Sequence, residues 1–117
     1  MLHFSKNQLV ISYMDKAMFQ MKIKDLVLKE NPEAKVILYG SRARGTERPG
    51  SDWDILVLLK KPVVSFKDEQ KIRHKLFDIE LETGESISTF VYSETEWDTR
   101  LSVTPLYKNV MKEGIYL

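Results

Sequence analysis

The stretch 36-VILYGSRARGTERPGSDWDILVLL-59 reads as strand, turn, basic loop and strand, and the second strand opens with two aspartates. Side chains two apart on a strand leave the same face, so Asp52 and Asp54 are expected to project side by side while Trp53 and Ile55 point the other way. Two carboxylates about 5 to 6 Å apart repel by roughly 3 kcal/mol at an effective dielectric near 20, so the pair calls for a cation or an arginine between them. A divalent metal meets that demand best, because its natural ligands are hard oxygens.

The other end of the stretch supplies a reason for a metal to be there. Residues 36–39 form a short β-branched apolar run that stops at Gly40, and a glycine after a strand lets the backbone turn sharply and come close to a ligand. Ser41 adds a hydroxyl and an amide. The amides that follow, opening a helical turn, suit a phosphate, and Arg42 and Arg44 add charge for its oxygens. If Gly40 ends one strand and Asp52 begins the next, both reach one site most simply when the two strands are antiparallel neighbours.

The pattern apolar-Gly-Ser, ten residues, Asp-x-Asp-apolar resembles the signature of the DNA polymerase β-like nucleotidyltransferases, and GSRARG…SDWDILV is similar to their smallest prokaryotic branch, the minimal nucleotidyltransferases. The resemblance covers residues 33–117. It implies an α/β fold, with a small mixed sheet of three or four strands flanked by helices. The implied activity is transfer of a nucleoside monophosphate from an NTP carrying Mg²⁺ (or Mn²⁺) to an acceptor hydroxyl, with release of pyrophosphate. In that scheme Gly40 and Ser41 seat the distal phosphates, Asp52 and Asp54 hold the metal, and Arg42 or Arg44 neutralises charge in the transition state. The resemblance also implies a second chain, since such proteins commonly partner small helical HEPN proteins and some nucleotidylate them. A different reading is a non-catalytic nucleotide-binding module, the antitoxin-like half of a two-protein pair.

One departure bears on the choice. In the resembling enzymes a third carboxylate lies on the third strand, completing the metal site and helping to deprotonate the acceptor. Here that position is Ser88, and its same-face neighbours Ser86, Phe90 and Tyr92 are not acidic. Glu80, Glu82 and Glu85 fall before the strand.

With 117 residues, 43% of them apolar, the chain is expected to form a single domain with one modest core and no separate substrate domain. Its net charge of +1 does not favour nucleic-acid binding by bulk electrostatics. The absence of cysteine excludes disulfides and thiolate metal sites. No signal peptide and no spanning run of about 20 apolar residues is visible, which makes the expected address cytoplasmic and non-membrane.

In chain order, residues 1–13 lie outside the resemblance and are read as an N-terminal extension, an edge strand, or a consequence of a start at Met14. Residues 15–30 have helical spacing, with Phe19, Ile23, Leu26 and Val27 facing the core, and Asn31-Pro32 ends the helix. Met14, Met18 and Met21 are expected to fill the core. Loop 42–51 is expected to be exposed, with Arg48 solvated. Strand 54–59 is apolar on both faces and is read as central. A helix over 66–83 presents Ile72, Leu76 and Ile79, widened by Phe77 and Leu81, and stops at Gly84, although FDIELE also alternates like a strand. Residues 86–92 read as the third strand. Ser93 and Glu96 form a capping box for a short helix carrying Trp97, and Thr104-Pro105 starts a last helix that ends at Gly114. His3 and His74 stand alone and receive no role. Between Leu76 and Thr99 the chain carries Asp78, Glu80, Glu82, Glu85, Glu94, Glu96 and Asp98 with no Lys or Arg. This is a solvated face, or a docking surface for a basic partner.

Overall fold

The computed structural model describes residues 16–117, so the extension, His3 and Met14 lie outside the described residues. Helix α1 (Lys16–Glu30) buries Phe19, Ile23 and Val27, spaced four apart, with Leu26 partly buried beside them. The Asn31 amide donates to the Val27 carbonyl at 3.0 Å, and Pro32 prevents a further turn. Met18 and Met21 are exposed at 50% and 59%, so neither fills the core. They fall outside the stripe that Phe19, Ile23 and Val27 define.

Strand β1 (Lys35–Tyr39) is followed by a one-turn helix α2 (Ser41–Arg44), and the loop beyond it leads into β2 (Trp53–Leu59). β1 and β2 are antiparallel neighbours, as expected from bringing Gly40 and the aspartates to one end of the sheet, with Tyr39 opposite Asp54. Helix α3 (Phe66–Thr83) then carries the chain back, so β3 (Ile87–Ser93) lies parallel to β2. A short helix α4 (Glu94–Asp98), a 3₁₀ turn (Arg100–Val103) and helix α5 (Pro105–Glu113) follow. The two-residue strand β4 (Ile115–Tyr116) pairs antiparallel with β1, giving the sheet order β3, β2, β1, β4.

The sheet has a core on each face. Trp53, Ile55, Val57 and Leu59 point with Val36, Leu38 and Val91 towards α1 and α3, where Phe19, Ile23, Ile72, Leu76 and Ile79 meet them. Leu56, Leu58, Ile37 and Tyr39 point the other way, towards Trp97 of α4 and Val110 of α5. Five consecutive residues of β2, Ile55 to Leu59, are buried, as a central strand demands. Each is worth roughly 1.5 to 3 kcal/mol of burial, so the register is firmly held. A slip of one residue would send Asp54 into the α1–α3 core, and the cost of burying that charge opposes it.

The caps hold the connecting elements. Ser65 and Asp68 make a reciprocal capping box at the start of α3, and Gly84, at φ 76°, ends it by donating to the Glu80 carbonyl. The alternating FDIELE segment is helical to Thr83, because Ile72, Leu76 and Ile79 already commit it to one buried stripe. Phe77 and Leu81 do not widen that stripe; they are 53% and 69% exposed. Ser93 caps α4 by accepting from the Glu96 amide, without the reciprocal bond of a full box, and Thr104 caps α5 from Tyr107.

The acidic stretch does not form one free surface. Glu80 accepts the Ile87 amide at 2.6 Å, Glu82 pairs with Lys22, Glu94 with Lys35 and Glu96 with Arg100. Glu85 accepts from the Trp53 indole at 3.2 Å. Most of these carboxylates therefore staple elements of this chain to one another. No helix among the described residues is long and apolar enough to cross a membrane.

Candidate functional site

β1 ends where β2 begins, and the site grows from that junction. Gly40 has φ 76° and ψ −160°, a backbone region that side-chain-bearing residues rarely enter. A β-carbon there would overlap Oδ2 of Asp54, so the missing side chain serves both the turn and the close approach of the carboxylate. The Gly40 carbonyl accepts from the Ala43 and Arg44 amides at 3.0 and 3.1 Å, which winds residues 41–44 into α2. Gly45, also at positive φ, closes that turn on the Ser41 carbonyl. The partly buried Ser41 makes no side-chain hydrogen bond among the described residues.

Asp54 is half-buried on the face shared with Leu56, while Asp52 is exposed, one residue before the strand starts. Burial, then the nearby Asp52 charge, holds the Asp54 carboxyl above its ordinary value, with Glu113 adding to the effect and Arg44 opposing it. Two adjacent carboxylates, hard oxygen donors of like charge, fit a divalent cation of the Mg²⁺ type. Among the described residues no group of three or more potential ligands converges, so any such ion would draw its other ligands from elsewhere. Tyr39, opposite Asp54, is pushed up to about 12 by burial and then by the Asp54 charge, so it stays protonated at neutral pH.

Ser88, expected from the sequence to stand where a third carboxylate would lie, is on β3. The β2–β3 register sets it directly beside Asp54. The acids that precede β3 are engaged elsewhere: Glu80 with the Ile87 amide, Glu82 with Lys22, and Glu85 with Trp53.

The two loop arginines separate. Arg42 donates to the Ser51 carbonyl through Nε at 3.2 Å and through a terminal nitrogen at 2.8 Å. Its guanidinium lies 4.5 Å above the Trp53 ring and 3.5 Å from Glu85, on the α1–α3 side of the sheet. It therefore ties the loop to β2, and the structure does not bring it to the carboxylates. Trp53 packs beneath the sheet, its ring centroid 4.5 Å from that of Phe19. Arg44 stays on the Asp54 side, where it pairs with Glu113 at 2.9 Å.

Glu113 is the residue that the sequence reading did not find. It ends α5, and its carboxylate accepts the Gly40 amide at 3.1 Å as well as the Arg44 guanidinium. Its only sequence signal was a negative charge at a helix C-terminus, where the macrodipole disfavours one.

The comparisons with known proteins agree with this architecture. A toxin-antitoxin structure with AMP-PNP is similar at 23% identity and TM-score 0.59, over 83% of this chain and 70% of that one. A mutant of the toxin-antitoxin MntA-HpeT is similar at 21% identity and TM-score 0.55, over 89% and 72%. A candidate minimal nucleotidyltransferase matches at 24% identity and TM-score 0.58, over 91% of this chain and 99% of that one. No curated protein matches the chain. The family model for the nucleotidyltransferase domain matches residues 20–117, which include both strands, the Gly40 turn and both aspartates. The chain belongs to the nucleotidyltransferase domain family.

Proposed function

We propose that this chain binds a nucleoside triphosphate with a divalent ion and transfers the nucleoside monophosphate to a hydroxyl on a second protein chain. The observation that carries the reading is the contact of the Gly40 turn with Asp54, which sets a tight backbone bend and a carboxylate pair at one end of the sheet. The Gly40 amide and Ser41 hydroxyl would orient the distal phosphates. Asp52 and Asp54 would hold the metal, Mg²⁺ or Mn²⁺. When bound, that ion supplies neutralisation of charge on the phosphoryl oxygens. Arg44 faces the same side and would stabilise charge on the departing pyrophosphate. Arg42, given to the loop and Trp53, has a supporting role in this scheme.

The proposed partner is a small helical HEPN-type protein. The similarity to toxin-antitoxin structures, one of them with AMP-PNP, supports a partner and a nucleotide together. The test is incubation with α-labelled nucleoside triphosphates, with and without the product of the neighbouring reading frame. Label should pass to the partner only with a divalent ion, and Asp54→Asn should stop it. Equal nucleotide affinity in EDTA and in magnesium would rule out the site.

A second reading, a nucleotide-binding module without turnover, has one observation in its favour. Ser88 stands beside Asp54 where the resembling enzymes carry an acid. Intact binding with no transfer to any partner would select it.

A further inference from the structure

Glu113 has no part in the scheme above, yet it sits within it. One carboxylate oxygen accepts the Gly40 amide at 3.1 Å and an Arg44 nitrogen at 3.1 Å, and the other accepts the same nitrogen at 2.9 Å. A terminal phosphate oxygen would use the same donors: a backbone amide at a tight glycine turn and a guanidinium nitrogen of Arg44. The contact differs from an ordinary surface ion pair, which is weak and adaptable. The Glu113 side chain is only 17% exposed. The chain on its C-terminal side is pinned, because Gly114 packs so closely on Val110 and Ile37 that a β-carbon would collide with both. The next residue, Ile115, is paired with Leu38. A negative charge at the end of α5 also opposes the helix dipole, so the helix itself gives no reason for it.

We propose that Glu113 is a specificity-determining residue of the phosphate seat, a resident carboxylate that holds the Gly40 amide and Arg44 until a polyphosphate carrying a divalent ion displaces it. The inference rests on the reading of Gly40, Ser41 and Arg44 as that seat. Glu113 and Asp54 flank the Gly40 turn with like charge, so an anion without a metal meets two carboxylates. A metal-bearing polyphosphate brings its own neutralisation and a stronger claim on Arg44. Glu113 thereby sets the threshold that an incoming anion must exceed.

The experiment is calorimetric titration of wild type, Glu113→Gln, Glu113→Asp and Arg44→Gln with Mg-ATP and with magnesium tripolyphosphate, which tests the seat without a base. Glu113→Gln keeps an oxygen for the Gly40 amide but loses the competing charge. It should bind both ligands about tenfold more tightly than wild type, a change of about 1.4 kcal/mol. Glu113→Asp, charged but one methylene shorter, should fall between them, and Arg44→Gln should weaken both. Binding by wild type with no gain in either Glu113 variant would overturn this inference and leave the seat standing. No binding by any of the proteins would remove the seat and this inference with it.

Discussion

Oδ2 of Asp54 fills the space that a β-carbon on Gly40 would take. The carboxylate can come this close to the turn only because Gly40 carries no side chain. Gly40→Ala is expected to cost about 1 to 3 kcal/mol from the φ 76° backbone alone, and more from the displaced carboxylate. It should also abolish triphosphate binding. Gly45→Ala is the control, since Gly45 has a similar φ but nothing within 4 Å of its β position. That variant should lose stability by about 1 kcal/mol and keep its nucleotide affinity. Chemical denaturation and calorimetry of the two variants would separate the effects.

Asp54 and Glu113 should respond to pH with opposite signs. The folded state raises the Asp54 pKa, through burial and then Asp52, so it binds that proton more tightly than the unfolded chain does. The resulting penalty grows as pH rises from the ordinary 3.8 through the folded value. Asp54→Asn is expected to raise the melting temperature near neutral pH, a gain that disappears at about pH 3, below the ordinary value. Glu113 is held below its ordinary 4.5 by the Arg44 guanidinium and by the Gly40 amide. Its stabilising contribution is present above that value and is lost as pH falls through the folded one. Glu113→Gln should therefore lower the neutral melting temperature, an effect that shrinks in acid. Melting curves across the acid range would check both signs.

Arg42 and Arg44 should fail in different ways. Arg42 holds the Ser51 carbonyl, the Trp53 face and Glu85, so Arg42→Ala is expected to cost about 1 to 3 kcal/mol of stability. Arg42→Lys should recover only part of this, because an ammonium cannot reproduce the planar fork over an indole. Arg44 is half-exposed, so its loss should cost less stability than that of Arg42, leaving Glu113 with the Gly40 amide alone, and should reduce triphosphate affinity. Denaturation midpoints and Mg-ATP titrations, read side by side, would show the division. Equal stability losses for the two alanine variants would count against it.

Ser88→Asp places a carboxylate beside Asp54, at the position where the register leaves a hydroxyl. With a general base worth typically 10² to 10⁴-fold, the variant is expected to incorporate labelled nucleotide faster than wild type on the same partner. It should be less stable without metal, because the new charge joins Asp52 and Asp54, and magnesium should restore part of the loss. Robust transfer by wild type with no gain in Ser88→Asp would mean that the acceptor is deprotonated by another group.

The sequence by itself determined three of the four strands of the sheet and the candidate site between the first two, but not the two-residue β4. The β-branched run before Gly40 and the doubly apolar run after Asp54 made two adjacent strands, and the need to join Gly40 to the aspartates made them antiparallel neighbours. The stripe Ile72, Leu76 and Ile79 and the stop at Gly84 placed α3. These features are local, because spacing, capping and turn chemistry act within a few residues. Tertiary structure decided what depends on orientation across elements. Arg42 and Arg44 are two apart on one short turn, and only packing sent the first to Trp53 and the second to Glu113. The acids between Leu76 and Thr99 looked like one surface, but their chain partners Lys22, Lys35 and Trp53 are distant in sequence. Glu113 lies 73 residues from the Gly40 amide it caps, and it reaches that amide because α5 packs on β1 and β4 extends the sheet. No local pattern encodes such a contact; it follows from burying Val110 against Ile37 and Tyr39, which sets the end of α5 beside the turn.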